Sequence, residues 1–297
     1  MFKTFRPFAG LVALFTALLS PQASAQQPVE QDIRPALWKV ADADTTIYLF
    51  GTVHALPPGI PWYRGEVAAA FEESKELVTE IIDEDHAAVQ KAIMATAILP
   101  EGQTLRGMMT AQDKVKYEAA LAHVGMPPAS FDRVEPWFAG ITLAVVPLQK
   151  EGLVPENGVE STLNARAKTL GQQHAALETA EYQLGLFDSL PLDVQKRFLM
   201  EVVESVPTVT TDLGRMIDAW KEGDVEQVAR LMQDQENDPA VLDVILYKRN
   251  AAWADWIKTR LDAPGSVFVA VGAGHLAGPQ SVQDKLAELG ISATRVQ

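Results

Sequence analysis

Two segments near opposite ends of the chain share one form, an apolar β-like run followed by glycine, two residues and histidine. They are residues 47–54 (IYLFGTVH) and residues 267–275 (VFVAVGAGH). Apolar runs rich in β-branched and aromatic residues are typical of strands in a sheet covered on both faces. Ligands and catalytic groups collect at the carboxyl ends of such strands. The sequence therefore predicts that the fold brings His54 and His275 to one site.

A third apolar run, at residues 76–82, carries Glu80 and follows a proline-rich loop and a predicted helix at about 63–74. Strand, helix and strand in this order form the βαβ unit of a parallel sheet. Consecutive parallel strands are usually neighbours, so we expect the strand of Glu80 beside the strand that precedes His54. The other predicted elements are strands at 38–40, 174–177, 267–271 and 291–296, helices at 160–170 and 279–289, and mostly helical stretches at 84–149 and 181–262.

The first 25 residues have the form of an export signal, with Lys3 and Arg6, an apolar run at 11–19 and small residues at 23–25. We predict a signal peptide at 1–25 and an exported protein, periplasmic or secreted. The remaining residues, 26–297, are predicted to form a single domain with helical insertions at about 84–150 and 181–262. The apolar run is shorter than the roughly 18 residues of a membrane span, so no stable membrane insertion is expected after cleavage.

Charge and cysteine content exclude several classes of function. The formal net charge of −14 argues against nucleic-acid binding. The absence of cysteine excludes disulfides, thiolate nucleophiles and zinc–thiolate sites. The sequence also contains neither Gly-x-Ser-x-Gly nor His-Glu-x-x-His, which gives little support to a serine hydrolase or a helical zinc protease.

Two histidines and a carboxylate predict a metal site with positions open for water or substrate. Imidazole is the commonest ligand for first-row metals, and a carboxylate is its usual companion where cysteine is absent. His54, His275 and Glu80 are the candidate ligands. Glu178, which follows the 174–177 strand, and Glu160 are candidate ligands or general bases. A metal held in this way activates water for hydrolysis.

Each of these residues also has a structural interpretation. A histidine near a strand end is often a polar residue at the rim of a sheet, and Glu80 is solvated if its strand lies at an edge. Glu178 precedes Thr179, which is a candidate N-cap of an ordinary helix. Arg249 and Asn250 lie on a predicted helix, where they reach the site or bond to a neighbour.

The order of these motifs resembles the TraB/GumN family over about residues 36–296. That family is related to the Tiki metalloproteases and, more distantly, to the erythromycin esterase and ChaN-like proteins. The segments that carry the resemblance are residues 48–54 (YLFGTVH), 77–80 (LVTE), 158–160 (GVE) with Leu163 and Ala167, 177–179 (LET) with Gln183, 249–250 (RN) and 271–276 (VGAGHL).

The resemblance implies an α/β fold with a small, mostly parallel sheet and large helical insertions. It implies that both Gly-x-x-His histidines and Glu80 lie at the active site, and the Tiki branch implies metal-dependent proteolysis. Manganese or cobalt is the favoured divalent metal ion, with zinc or iron as alternatives. Glu160, Glu178, Arg249 and Asn250 match further family positions.

The leading hypothesis is an exported metal-dependent hydrolase, a peptidase acting on a peptide or another small substrate, in which Arg249 and Asn250 orient substrate or stabilise an oxyanion. One alternative is a non-catalytic envelope protein that binds a metal or haem. Another is a metal-free, esterase-like hydrolase in which His54 is the general base and Glu80 orients it.

Overall fold

The computed structural model describes residues 33–82, 86–235 and 238–297. The predicted signal peptide at 1–25 lies outside these residues. Within the described part of the chain, no helix is both long and apolar enough to cross a membrane.

The fold is α/β, and its sheet is mostly parallel. Six strands are found among the described residues, in the spatial order β4-β3-β5-β2-β1-β6. Strands β2, β5, β3 and β4 run parallel, whereas β1 is antiparallel to both β2 and β6. The strands are β1 (Leu37–Ala41), β2 (Thr45–Thr52), β3 (Glu76–Thr79), β4 (Gln173–Ala176), β5 (Gly265–Gly272) and β6 (Thr294–Arg295).

The expected pairing of β2 with β3 is wrong, because β5 lies between them. β5 pairs with β2 over eight residues, from Thr45 opposite Gly265 to Thr52 opposite Gly272. The apolar run of β5 is buried on both faces, which favours the centre of the sheet, and the four-residue β3 then pairs along its other side. This order places the two Gly-x-x-His motifs on adjacent strands.

Helices fill both segments that the sequence predicts as insertions. Several elements are shorter than predicted: α1 begins at Gly65, β3 ends at Thr79, and β6 has two residues. The helices are α1 (Gly65–Glu73), α2 (His86–Thr96), α3 (Ala111–His123), α4 (Pro136–Lys150), α5 (Val159–Leu170), α6 (Ala180–Asp188), α7 (Leu192–Ser205), α8 (Val209–Glu222), α9 (Val225–Gln235), α10 (Pro239–Leu242), α11 (Lys248–Leu261) and α12 (Val282–Glu288).

Alternate residues of the strands face two separate apolar cores. Phe50 of β2 packs with Phe71 of α1 and residues of α5 and α8. Its neighbour Leu49 faces the opposite side, where Trp253 and residues of α11 and α12 pack. A third core joins α3, α4 and α7 away from the sheet. The sheet is thus a rigid layer covered on both faces, and its strand ends are fixed in position.

Candidate functional site

The carboxyl ends of the four parallel strands bring the predicted site residues to one edge of the sheet. His54 follows β2 by two residues, and Glu80 follows β3 directly. His275 lies in the short 3₁₀ segment Ala273–Leu276 that continues β5. Glu178 follows β4 by two residues, and its N–H donates to the carbonyl of Glu80 at 2.9 Å.

His54 is held by Glu160 of the first turn of α5. The Nδ1–H of His54 donates to Glu160 Oε1 at 2.6 Å, and the Thr52 hydroxyl donates to the same oxygen at 2.5 Å. The N–H of Val159 donates to the carbonyl of Val53 at 3.1 Å, which fixes the start of α5 against the end of β2. The His54 side chain is 68% exposed, so its Nε2 is open to small molecules.

Gly158 allows this close approach of α5 to the strand end. A Cβ at Gly158 would lie 2.2 Å from the carbonyl oxygen of His54. We expect Gly158→Ala to lower the free energy of unfolding by about 1–3 kcal/mol, because the helix must move away from the strand. Urea unfolding measures this, with Gly214→Ala in α8 as the control, since a Cβ there has no neighbour within 4 Å. Equal effects of the two substitutions would contradict the prediction.

The charge on Glu160 controls the protonation of His54. Desolvation by the surrounding protein atoms opposes the charge on the ring, but the hydrogen bond and charge of Glu160, followed by the charge of Glu80, outweigh it and raise the pKa of His54 to about 9. Burial likewise opposes the charge on Glu160, and the contact with His54 lowers the pKa of that carboxyl. His54 is therefore an imidazolium at neutral pH.

We expect NMR titration to find the pKa of His54 near 9 and, in Glu160→Gln, more than one unit lower. Because the folded-state pKa is raised, the stabilisation from this pair is complete below about pH 6.5 and is lost as the pH rises through 9. Thermal unfolding between pH 6 and 10 checks this loss, which should be smaller in Glu160→Gln. An unchanged His54 pKa in that variant would refute the prediction.

Arg249 connects the other three strand ends in a closed cluster. Its Nη2 donates to Glu80 Oε2 at 2.5 Å and to Glu178 Oε2 at 2.9 Å, and its Nε donates to both oxygens of Glu178 at 3.0 and 3.1 Å. Its Nη1 donates to the carbonyl of Ile245 at 2.8 Å and to His275 Nε2 at 3.1 Å. All five guanidinium N–H groups therefore have acceptors, and the side chain is only 9% exposed.

A π-helical turn places Arg249 in this cluster. Residues Asp243–Tyr247 form the π segment directly before α11, and the N–H of Lys248 donates to the carbonyl of Asp243, five residues earlier. Such turns are frequent at functional sites. The Arg249 side chain bonds to the carbonyl of Ile245, which lies in this turn.

His275 is held in one tautomer. Arginine only donates hydrogen bonds, so His275 Nε2 must accept from Arg249, and Nδ1–H donates to Asn250 Oδ1 at 2.6 Å. The amide nitrogen of Asn250 donates to the carbonyl of Gln280 at 2.8 Å, which orients its oxygen toward the ring. Burial lowers the pKa of His275 to about 3. His275 is therefore neutral and enclosed.

Glu80 belongs to both the exposed and the enclosed part of the site. Its Oε1 accepts from the Gly272 N–H at 2.7 Å, and its Oε2 accepts from Gln183 Nε2 at 3.0 Å as well as from Arg249. Burial opposes its ionisation, but the neighbouring His275, Arg249 and His54 outweigh burial and hold the pKa of Glu80 well below its usual range. Since His275 is neutral here, the cations responsible are Arg249, which bonds to Oε2, and the imidazolium of His54.

His54, Glu80 and His275 meet above Gly272. A Cβ on that glycine would lie 3.3 Å from Glu80 Oε1, 3.4 Å from His54 Nε2 and 3.7 Å from His275 Cδ2. The absence of a side chain at Gly272 is therefore what leaves room between the three groups. Two residues of the sheet edge thus present reactive atoms, His54 Nε2 and Glu80 Oε1, toward one position.

A recess of about 530 Å³ opens beside His54 and Glu80. Most of its lining residues have polar side chains, and Arg249, Asn250, Glu178 and His275 do not contribute to it. The lining residues are His54, Thr79, Glu80, Ile81, Pro155, Glu156, Glu160, Ser161, Asn164 and Gln183.

The structure brings all seven predicted site residues together, in two groups. His54, Glu160 and Glu80 face the recess, whereas His275, Glu178, Arg249 and Asn250 are enclosed. Thr179 caps α6 by accepting from the N–H of Tyr182, so the predicted N-cap is confirmed. Glu178 lies in the enclosed group, and its role as ligand or general base stays a prediction. In addition, Glu160 rather than Glu80 bonds to Nδ1 of His54.

Sequence reasoning did not assign roles to Thr52, Gln183 and Trp253. Thr52 lies inside the first Gly-x-x-His motif, and Gln183 lies four residues after Thr179. The positions of both residues relative to these motifs could therefore have indicated that they lie near the site. Gln183 Nε2 also donates to Glu178 Oε2 at 2.9 Å. Trp253 packs in the core, and its indole N–H also donates to Glu178 Oε1 at 2.9 Å.

The enclosed histidine does not fit the predicted set of three metal ligands in this arrangement. His275 Nε2, the atom nearest to Glu80 Oε1 at 3.8 Å, already accepts from Arg249. Within the described ranges, no group of three His, Asp or Glu side chains is arranged to hold a metal ion. His54 Nε2 and Glu80 Oε1 remain as candidate metal-ligand atoms, and both face the position above Gly272. Metal binding through His54, Glu80 and His275 stays a prediction.

The profile of the TraB/PrgY/gumN family matches residues 36–295. The chain belongs to this family. Its match spans all seven predicted site residues. A relative from Treponema pallidum (strain Nichols), described as an uncharacterized protein, is 23% identical in an alignment 304 positions long, gaps included, that covers 92% of this chain and 89% of the relative. No solved structure gave a significant match to this TraB/PrgY/gumN chain.

Proposed function

We propose that this protein is a hydrolase in which His54, oriented by Glu160, is the general base that activates water. The observation that carries the proposal is the 2.6 Å bond between His54 Nδ1 and Glu160 at the mouth of an open recess. A carboxylate on Nδ1 fixes the tautomer and leaves Nε2 to accept a proton. The same carboxylate stabilises the imidazolium that forms.

The chemistry requires only a proton transfer through His54. Neutral Nε2 takes a proton from water as the water oxygen attacks an acyl carbon, and the resulting imidazolium returns that proton to the leaving group. The recess supplies polar side chains, among them Ser161, Asn164 and Gln183, to hold the substrate. Because His54 is largely protonated at neutral pH, the rate should rise with pH toward about 9.

The substrate we propose is an acyl compound, with a peptide as the first class to test, and the place of action is outside the cytoplasm. We choose a peptide because the family that the chain resembles is related to the Tiki metalloproteases. We propose a location outside the cytoplasm because residues 1–25 have the form of an export signal. A carboxylate-lined recess in an acidic chain favours substrates that are neutral or basic near the scissile bond.

A metal-dependent version of this hydrolase is the second candidate. It is favoured by one observation, that His54 Nε2 and Glu80 Oε1 lie against the same position above Gly272. Manganese or cobalt would be the metal expected from the family resemblance, with zinc or iron as alternatives.

The test is a screen of chromogenic esters and peptide libraries between pH 6 and 10, with and without a chelator. Wild type is compared with His54→Gln, and elemental analysis follows equilibration with manganese, cobalt, zinc and iron. Activity that survives the chelator and is lost in His54→Gln supports the His54–Glu160 base. Activity that disappears with the chelator and returns with one metal supports the second candidate instead. Activity unchanged in His54→Gln overturns both.

A further inference from the structure

We propose that Arg249 is the resident cation of this site, occupying the position between Glu80, Glu178 and His275 that a divalent metal ion would otherwise take. The inference deepens the proposed function, on which it rests for the role of His54, by assigning Arg249 as a positioning residue. It also predicts a latent metal site that appears only when the guanidinium is removed.

The acceptors around Arg249 are of the chemical kinds that bind divalent metal ions, although with the guanidinium in place the described residues are not arranged to hold one. Two carboxylates and one neutral imidazole nitrogen point at the guanidinium, all within 3.1 Å of its nitrogens. Imidazole nitrogen suits zinc and iron, and carboxylate oxygen suits manganese. Each acceptor is instead engaged by an N–H group.

Electrostatics explains why Arg249 and a metal ion exclude each other here. The guanidinium is charged at all accessible pH values and does not release a proton to make room for a second cation. Its side chain is enclosed by Trp253, whose ring centroid lies 4.8 Å from the guanidinium carbon. The bond to Ile245 from the π-helical turn anchors it further. A metal ion could reach His275 Nε2 only by displacing this side chain.

The role of the resident cation is to fix the position of its neighbours. Its hydrogen bond to Glu80 Oε2 orients the carboxylate so that Oε1 stays on the Gly272 N–H beside His54. It also requires His275 to present a lone pair at Nε2, which sets the Nδ1–H tautomer that bonds to Asn250.

The first test follows the histidine ring nitrogens of the wild-type protein by NMR during a titration with zinc. We expect the Nε2 resonance of His275 to be that of an unprotonated, hydrogen-bonded nitrogen and to stay unchanged by zinc, whether or not His54 responds. A shift of that resonance to a metal-bound value would overturn the proposal. The readout does not use activity, so it is separate from the fate of the proposed hydrolase.

The second test measures bound manganese and zinc in variants by elemental analysis. Arg249→Ala should gain about one metal ion per chain relative to wild type, and Arg249→Ala combined with Glu178→Gln should lose it again. Arg249→Lys, which keeps the charge, should gain none. The matched control is Arg260→Ala on the same helix, because Arg260 forms its ion pair with Glu76, outside the cluster around Arg249. A folded Arg249→Ala that gains no metal overturns the proposal, and if that variant does not fold, the zinc titration decides.

Discussion

Replacing His54 with glutamine should lower kcat/KM of any hydrolysis that the protein catalyses by about 10²–10⁴-fold, the usual contribution of a positioned general base. Glutamine keeps a polar side chain that can still reach Glu160, but it takes no proton at neutral pH. The loss should fall mainly on kcat, because the proton transfer belongs to the transition state and not to substrate binding. Steady-state kinetics on the substrate found in the screen measures the effect.

The matched control for His54→Gln is His123→Gln at the end of α3, an exposed histidine that does not line the recess. That variant should retain wild-type kinetics. A second control is the pH profile of Glu160→Gln, whose ascending limb should move to lower pH than in wild type as the pKa of His54 falls. A loss in His54→Gln that is confined to KM would contradict a role in proton transfer.

Replacing Arg249 with alanine should lower the free energy of unfolding by about 3–5 kcal/mol, the usual cost of breaking a buried ion pair from one side. The substitution leaves Glu80 and Glu178 enclosed without their shared cation and leaves His275 Nε2 without its donor. Urea unfolding in the presence of a chelator at pH 7 measures the loss. Arg260→Ala is the control, and its single, partly exposed pair with Glu76 should cost about 1 kcal/mol.

The pH dependence of Arg249→Ala separates this cause from a simple loss of packing. In wild type the pKa of Glu80 is depressed, so its stabilisation is present above about pH 4.5 and is lost as the pH falls below that value. In the variant Glu80 lacks the Arg249 cation while burial still opposes its charge, so Glu80 favours the protonated form and the deficit should shrink between pH 7 and pH 5. A deficit that stays constant over this range would indicate lost packing alone.

The two histidines illustrate how far the sequence predicts a site. Each Gly-x-x-His motif ends an apolar run, and that pattern alone predicts that both residues lie at strand ends of one sheet. Nothing in the pattern distinguishes them, yet one is 68% exposed with a raised pKa and the other is enclosed with a lowered pKa. The difference arises from neighbours that are distant in the chain, Glu160 for His54 and Arg249 for His275.

The chain itself determined the local elements and the residues that end them, because apolar periodicity, glycines and capping residues act over a few positions. It determined in this way the α/β class and the strand ends that carry His54, Glu80, Glu178 and His275. Only the tertiary structure decided that β5 separates β2 from β3, because strand order depends on which strand buries the most apolar surface. Only the tertiary structure placed one arginine among two carboxylates and an imidazole, because a charge is buried only where the whole fold supplies its partners.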